Sequence, residues 1–158
     1  MKTFPIYETG RIRAILDRAP VCFAAVVDAE GAPYAFPMNF GYDGRFFYLH
    51  SGPEHSALPL LRRDGRICLT LSVRNELMFQ DEAVGCSYRM KAESVVVRGT
   101  VDFPEALDEK RRCLDVLMKH YTGAAVSYGD PAVRNVVVWR ITPTVVSARE
   151  YGVPRYGV

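Results

Sequence analysis

Apolar and polar positions along the chain repeat with two different periods. Over residues 8–19, Ile12, Ile15, Leu16 and Ala19 recur at helical spacing ahead of Pro20, which predicts a short helix. Residues 21–27 are apolar throughout and read as a core strand. Asp28-Ala29-Glu30-Gly31 reads as a turn, and residues 33–42 as a second strand. Asp43-Gly44 is a two-residue hairpin signal. The chain returns over 45–50 with Phe46, Tyr48 and His50 on one face and Phe47 and Leu49 on the other. Residues 56–63 predict a short helix with Ser56 as N-cap and Pro59 in its first turn, ended by Asp64-Gly65. Residues 66–73 predict a strand, 74–85 a long polar connection, and 88–103 a strand around Ser94-Val95-Val96-Val97. Asp102 as a cap, Pro104 in the first turn and Glu105 at the positive end predict a helix start. Leu107, Leu114, Leu117, Met118 and Tyr121 form its apolar stripe, and Gly123 its C-cap. Residues 133–149 form the last strand region, with a bend expected at Thr142-Pro143.

Strands dominate and hairpins join several of them. The expected fold class is mainly β with helices: an antiparallel barrel, closed or nearly so, with helices at its ends. A length of 158 residues suits one domain over residues 1–158, which buries roughly 70% of its unfolded surface and needs no disulfide or metal staple. With 49% hydrophobic and 24% charged residues, a disordered or fibrous chain is excluded. A formal net charge of +2 excludes nucleic-acid binding through bulk charge. The basic side is rich in arginine, so a small arginine-lined anion pocket stays open. Cys22, Cys68, Cys86 and Cys113 lie far apart and form no Cys-x-x-Cys pair. Residues 1–7 lack the apolar core of a signal peptide, and the apolar run 21–27 is too short for a bilayer, so a soluble, reducing, cytoplasmic setting is expected. Glycine-rich nucleotide loops and a serine-hydrolase elbow are absent. Apart from Glu54, nothing flanks His50 and His55 at metal-ligand spacing.

The most informative stretch runs from Phe36 to Ser51: a hairpin loaded with aromatics, ending in His50-Ser51, with a helix start shortly after. A strand end beside a helix N-terminus offers free backbone N–H groups and a favourable dipole to an anion. Neighbouring apolar strand residues can hold a flat ring, so the combination suits a flat, phosphorylated cofactor. Taken singly, Phe36, Phe40, Phe46 and Tyr48 read as barrel core. Trp139 reads as core or subunit interface, and Arg62-Arg63 as cations at a helix C-terminus.

Three blocks together are fairly specific. They are Pro37-Met38-Asn39-Phe40 with Phe47-Tyr48-Leu49-His50-Ser51; Leu60-Leu61-Arg62-Arg63 leading to Ile67-Cys68-Leu69; and the run from Cys86 to Val101, with Ser94-Val95 and Gly99. In their order and spacing the chain resembles the FMN-binding split-barrel superfamily, the pyridoxamine 5'-phosphate oxidase-like group, and more narrowly its nitroimidazole-reductase branch. The resemblance implies an FMN ring lined by Pro37, Met38, Asn39 and Phe40 and approached by Leu49, His50 and Ser51. It places the phosphate at His55 and Ser56, but the family's customary lysine is Ala57 here. Losing a charge-assisted hydrogen bond of about 1.5–3 kcal/mol weakens binding about tenfold or more unless another cation substitutes. His55, Arg89 and Lys91 are the candidate replacements, and Ser94 matches the family's serine. The departure keeps FAD, haem, a deazaflavin or an empty pocket as alternatives. The implied function is FMN-dependent redox chemistry on a small molecule, such as a nitro-aromatic, in a homodimer, with His50 as the candidate for substrate binding or proton transfer. The alternative is a non-catalytic flavin- or haem-binding carrier or sensor.

Overall fold

Eight strands form one antiparallel sheet in a computed structural model that describes residues 3–153. They are β1 (Thr3–Ile6), β2 (Cys22–Val27), β3 (Pro33–Met38), β4 (Gly41–Tyr42), β5 (Phe47–Ser51), β6 (Arg66–Met78), β7 (Arg89–Asp102) and β8 (Val137–Tyr151). The order across the sheet is β3-β2-β6-β7-β8-β5-β4, with β1 paired to the end of β8. The sheet curls so that one side of its pleat encloses the core. Cys22, Ala24 and Val26 on β2, Ile67, Leu69 and Leu71 on β6, and Val95 and Val97 on β7 are buried at alternate positions, as a period of two requires. Phe47, Leu49, Trp139 and Ile141 complete this interior. The ends of the strand path, β3 and β4, are linked through Asn39 and Phe40 rather than by a ladder, which makes the barrel a split one.

Four helices dress it. Helix α1 (Thr9–Arg18) sends Ile15 and Leu16 into the interior, and α2 (Ala57–Asp64) sends Ala57, Leu58 and Leu61. Helix α3 (Leu107–Thr122) packs Cys113, Leu114 and Leu117 outside the barrel, against Tyr48 and Val138. Val133 of α4 (Asp130–Asn135) joins that outer cluster. Arg11 and Arg18 of α1 close the barrel end by bonding the buried Glu93 carboxylate at 2.9 and 2.7 Å, and Arg11 also reaches Glu150 at 2.7 Å.

Several boundaries differ from the sequence expectation, each for a tertiary reason. The strand expected over 33–42 breaks at Asn39-Phe40. There the Phe40 amide donates to Tyr121 Oη at 3.1 Å, and Gly41 lies against α3 so closely that a Cβ would stand 2.8 Å from Leu117 Cα. The Asp43-Gly44 turn is wider than two residues, because Asp43 Oδ1 accepts the Arg45 and Phe46 amides at 2.7 Å each. The polar connection shrinks, since β6 continues to Met78 along β7 after a bulge at Arg74. Asp102 is not a helix cap. It ends β7 opposite Arg140 and binds that guanidinium, so α3 begins later, at Leu107. Val133 belongs to α4, whose first turn holds Pro131. The expected bend at Thr142-Pro143 is a bulge inside a continuous β8, opposite the step from Arg98 to Gly99. Gly99 is required there, because a Cβ would meet Thr142 O at 2.3 Å.

Candidate functional site

The split between β3 and β5, next to the start of α2, gathers most of the residues that the sequence singled out. Alternation divides them between two faces. Met38, Phe40 and Leu49 are buried in the barrel core, so their side chains form the backing of the site, while Pro37 and Asn39 are exposed on the outer face. His50 shares the Tyr48 face of β5, outside the barrel and beside Val138. Counting on from the Gly41↔Tyr48 pair brings Asn39 level with His50, beyond the end of that short ladder. The outer rim of the split is therefore built by Pro37, Asn39 and His50.

His50 is half-buried, and its Nδ1 is enclosed with no hydrogen-bond partner among the described residues. Burial holds its pKa below the ordinary value, so the ring is neutral at pH ~7. A neutral imidazole can donate from one nitrogen and accept at the other. A buried polar atom left unpaired is uncommon in a native structure and marks a place where a partner from outside the chain fits.

Ser51 and His55 work from the inside. Trp139 Nε1 donates to Ser51 Oγ at 3.1 Å, and Ser51 Oγ donates to Gly52 O at 3.0 Å, so this hydroxyl is committed to the barrel. His55 packs against Phe36 with the rings tilted and their centroids 4.9 Å apart, and meets Trp139 edge-on at 5.3 Å. Its Nδ1 accepts the Ala57 amide at 3.2 Å, and burial lowers its pKa too. His55 thus supplies the cap expected of Ser56. Ser56 sits at the N-cap position without a side-chain cap, and its exposed hydroxyl bonds Tyr34 Oη at 2.9 Å instead. Tyr34 was not singled out from the sequence. Its parity with Phe36 and Met38 on β3 was the available signal.

Within one chain, the last two candidates lie elsewhere. Lys91 and Ser94 are on β7, separated from β5 by β8 and from β3 by β2 and β6. Lys91 Nζ pairs with Glu76 at 3.8 Å, Ser94 Oγ bonds Tyr151 Oη at 3.0 Å, and Arg89 donates to Gly152 O at 3.1 Å. A single chain therefore brings the ring-side candidates together with His55 and Ser56, and leaves the replacement cations Lys91 and Arg89 apart from them.

A split antiparallel barrel whose end strands do not pair with each other is the class that the fold defines. The profile of the pyridoxamine 5'-phosphate oxidase family matches residues 8–150, and the chain belongs to that family. A candidate 5-nitroimidazole antibiotic resistance protein of Bacteroides thetaiotaomicron is 44% identical. It covers 96% of this chain and 89% of its own, with a TM-score of 0.86. The same fold recurs at 19% identity in a FAD- and haem-binding protein of Mycobacterium smegmatis (TM-score 0.82, 97% of this chain, 76% of that one). It recurs at 21% in a FAD-binding protein of Mesorhizobium loti (TM-score 0.65, 95% and 99%). No curated protein matches the chain. No described helix is long and apolar enough to cross a membrane.

Proposed function

We propose that the protein is a flavin-dependent oxidoreductase that binds FMN, works as a cytoplasmic homodimer and reduces a small molecule of the nitro-aromatic class. The observation that carries this reading is the enclosed, unpartnered His50 Nδ1 in a barrel of this family, beside the positions that the resemblance assigns to the flavin ring. The 44% identity to the nitroimidazole-resistance protein, over nearly the whole chain, supports the substrate class. The residues fit a flavin at its ring end. Pro37 and Asn39 present an outward edge, and the buried Met38, Phe40 and Leu49 hold that edge rigid from behind. At the phosphate end the Ser56 and Tyr34 hydroxyls bond each other, so one O–H of the pair remains to donate, whereas the Ala57 and Leu58 amides are already used, by His55 Nδ1 and His55 O. The flavin supplies the electrons, and the protein supplies binding, orientation and a proton-handling group. His50, neutral and fixed at a strand end, orients the substrate and exchanges a proton at its ring nitrogen.

Purified protein tests this directly. Flavin absorbance bands, retained on gel filtration, together with NAD(P)H-linked loss of a nitro-aromatic, are the expected outcome. Flavin without turnover supports a carrier instead, a Soret band supports haem, and a colourless protein that takes up neither cofactor refutes the reading.

A further inference from the structure

The β2–β3 ladder stops at Cys22↔Met38, and a hydroxyl from α3 stands where its continuation would be. Counting on from that pair puts Pro20 opposite Phe40. Pro20 has no N–H to give, so a rung there can join only the Phe40 N–H to the Pro20 carbonyl. Those two groups do not bond directly. Tyr121 Oη lies between them: it accepts the Phe40 amide at 3.1 Å and donates to Pro20 O at 3.0 Å. A phenol has one proton to give and lone pairs to receive, which is what an inserted rung requires. Beside it, His120 Nε2 donates to Ala19 O at 2.9 Å, and the His120 ring packs at 4.7 Å against both Phe40 and Tyr121. The last turn of α3 thus holds both strands just past the end of their ladder.

Core packing does not account for Tyr121. It falls on the apolar stripe of α3, yet it is 40% exposed while Leu114 and Leu117 are buried. What it contributes is its hydroxyl. Phe40 is fully buried, so its ring is anchored by the core and its amide needs an acceptor. The group that the hydroxyl fixes is therefore the peptide plane between Asn39 and Phe40. That peptide is trans, so the Asn39 carbonyl lies on the opposite edge of the plane, away from Tyr121. Asn39 is the rim residue level with His50.

We propose that Tyr121 is a positioning residue for the candidate flavin site: by keeping the Phe40 amide and the Pro20 carbonyl one oxygen apart, its hydroxyl sets the Asn39 edge on which the flavin ring seats beside His50. The proposal rests on the flavin reading above. Tyr121→Phe removes one oxygen and keeps the ring contact with His120, so the fold is retained. The Phe40 amide then turns to water or to Pro20 O, and either move carries the Asn39 carbonyl with it. Flavin must restore the plane when it binds. If about one tenth of the molecules hold the competent arrangement, binding weakens about tenfold.

Titration of the full-length, cofactor-free protein with FMN, followed by flavin fluorescence and visible circular dichroism, makes the test. Tyr121→Phe is expected to raise Kd about tenfold and to alter the visible dichroism of the bound ring. The control is Lys110→Met at the other end of α3, which removes hydrogen bonds to Val133 O and Val136 O at 3.3 and 2.7 Å and touches nothing at the split. It lowers Tm and leaves both flavin readouts unchanged. The 15N NMR shifts of Asn39 and Phe40, recorded without cofactor, follow the peptide itself: they move in Tyr121→Phe and stay in Lys110→Met. Wild-type FMN binding by Tyr121→Phe, equal weakening in the two variants, or unmoved Asn39 and Phe40 shifts overturns the proposal and leaves the flavin reading standing. A wild type that takes up no FMN overturns both.

Discussion

Replacing His50 with leucine separates function from stability. On folding, Nδ1 leaves water and gains no hydrogen bond within the chain. An orphan of this kind costs about 1–3 kcal/mol. Leucine has a comparable bulk and no polar atom to desolvate. Because His50 is only half-buried, the lower end of the range applies. His50→Leu is therefore expected to gain about 1 kcal/mol, raising Tm by about 3 °C for a chain of this size. If the imidazole handles a proton during turnover, the same change lowers the rate about 10²–10⁴-fold while flavin stays bound. The pH dependence carries a matching sign. Burial lowers the His50 pKa, so the unfolded chain takes up this proton more readily than the folded one. The contribution is whole above pH ~6.5 and is lost as pH falls toward the folded value. The variant loses that part of the acid sensitivity and keeps the part from His55, whose pKa moves the same way. Urea unfolding on either side of this pH, with flavin absorbance and turnover per folded molecule, makes the measurement. A stability loss above about 1 kcal/mol, with turnover per folded molecule unchanged, refutes the reasoning and makes His50 a structural residue.

Two further outcomes follow from single contacts. Ser51→Ala leaves the buried Trp139 indole N–H without its acceptor at 3.1 Å and costs about 1–3 kcal/mol, read by calorimetry; an unchanged Tm refutes the bond's importance. At Glu93, burial by itself raises the pKa, but hydrogen bonds from Arg11 and Arg18 and the charge of Arg74 hold it below the ordinary value. Its contribution is full above pH ~4.3 and lost as pH falls through the folded value. Because its arginine partners are 40–50% exposed and screened by water, Glu93→Gln costs about 1–2 kcal/mol at neutral pH and flattens the acid limb of an unfolding titration. An unaltered acid limb refutes this.

What the site owes to the sequence and what it owes to the fold can be separated residue by residue. The run from Phe36 to Ser51 was informative because a strand puts alternate residues on opposite faces, and the two faces of β5 could be read before any coordinates. Which face is the interior could not. Tyr48 and His50 lie outside the barrel because α3, remote in sequence, covers that side. Local chemistry placed the N-cap of α2 correctly at Ser56 but not the hydrogen bond that caps it. Ser56 is the better N-cap by type, but Tyr34 on β3 takes its hydroxyl and His55 takes the amide.

The same division holds for the fold. The first half of β6 and the stripe of α3 were legible because burial on one side imposes the apolar period directly, and β2 because its run is apolar throughout. The outer part of β6, beyond Val73, was read as a loop, because both its faces meet solvent in one chain and no alternation is imposed on it. Helix α4 and the late start of α3 escaped for a different reason. Asp102 and Val133 have partners on β8 and α3 that sequence neighbours do not reveal. Local sequence therefore determined where the chain turns and which residues alternate. Tertiary packing decided which face is inside, which hydroxyls are spent, and that Lys91 and Ser94 lie two strands from His50, because those outcomes depend on contacts between segments far apart in the chain.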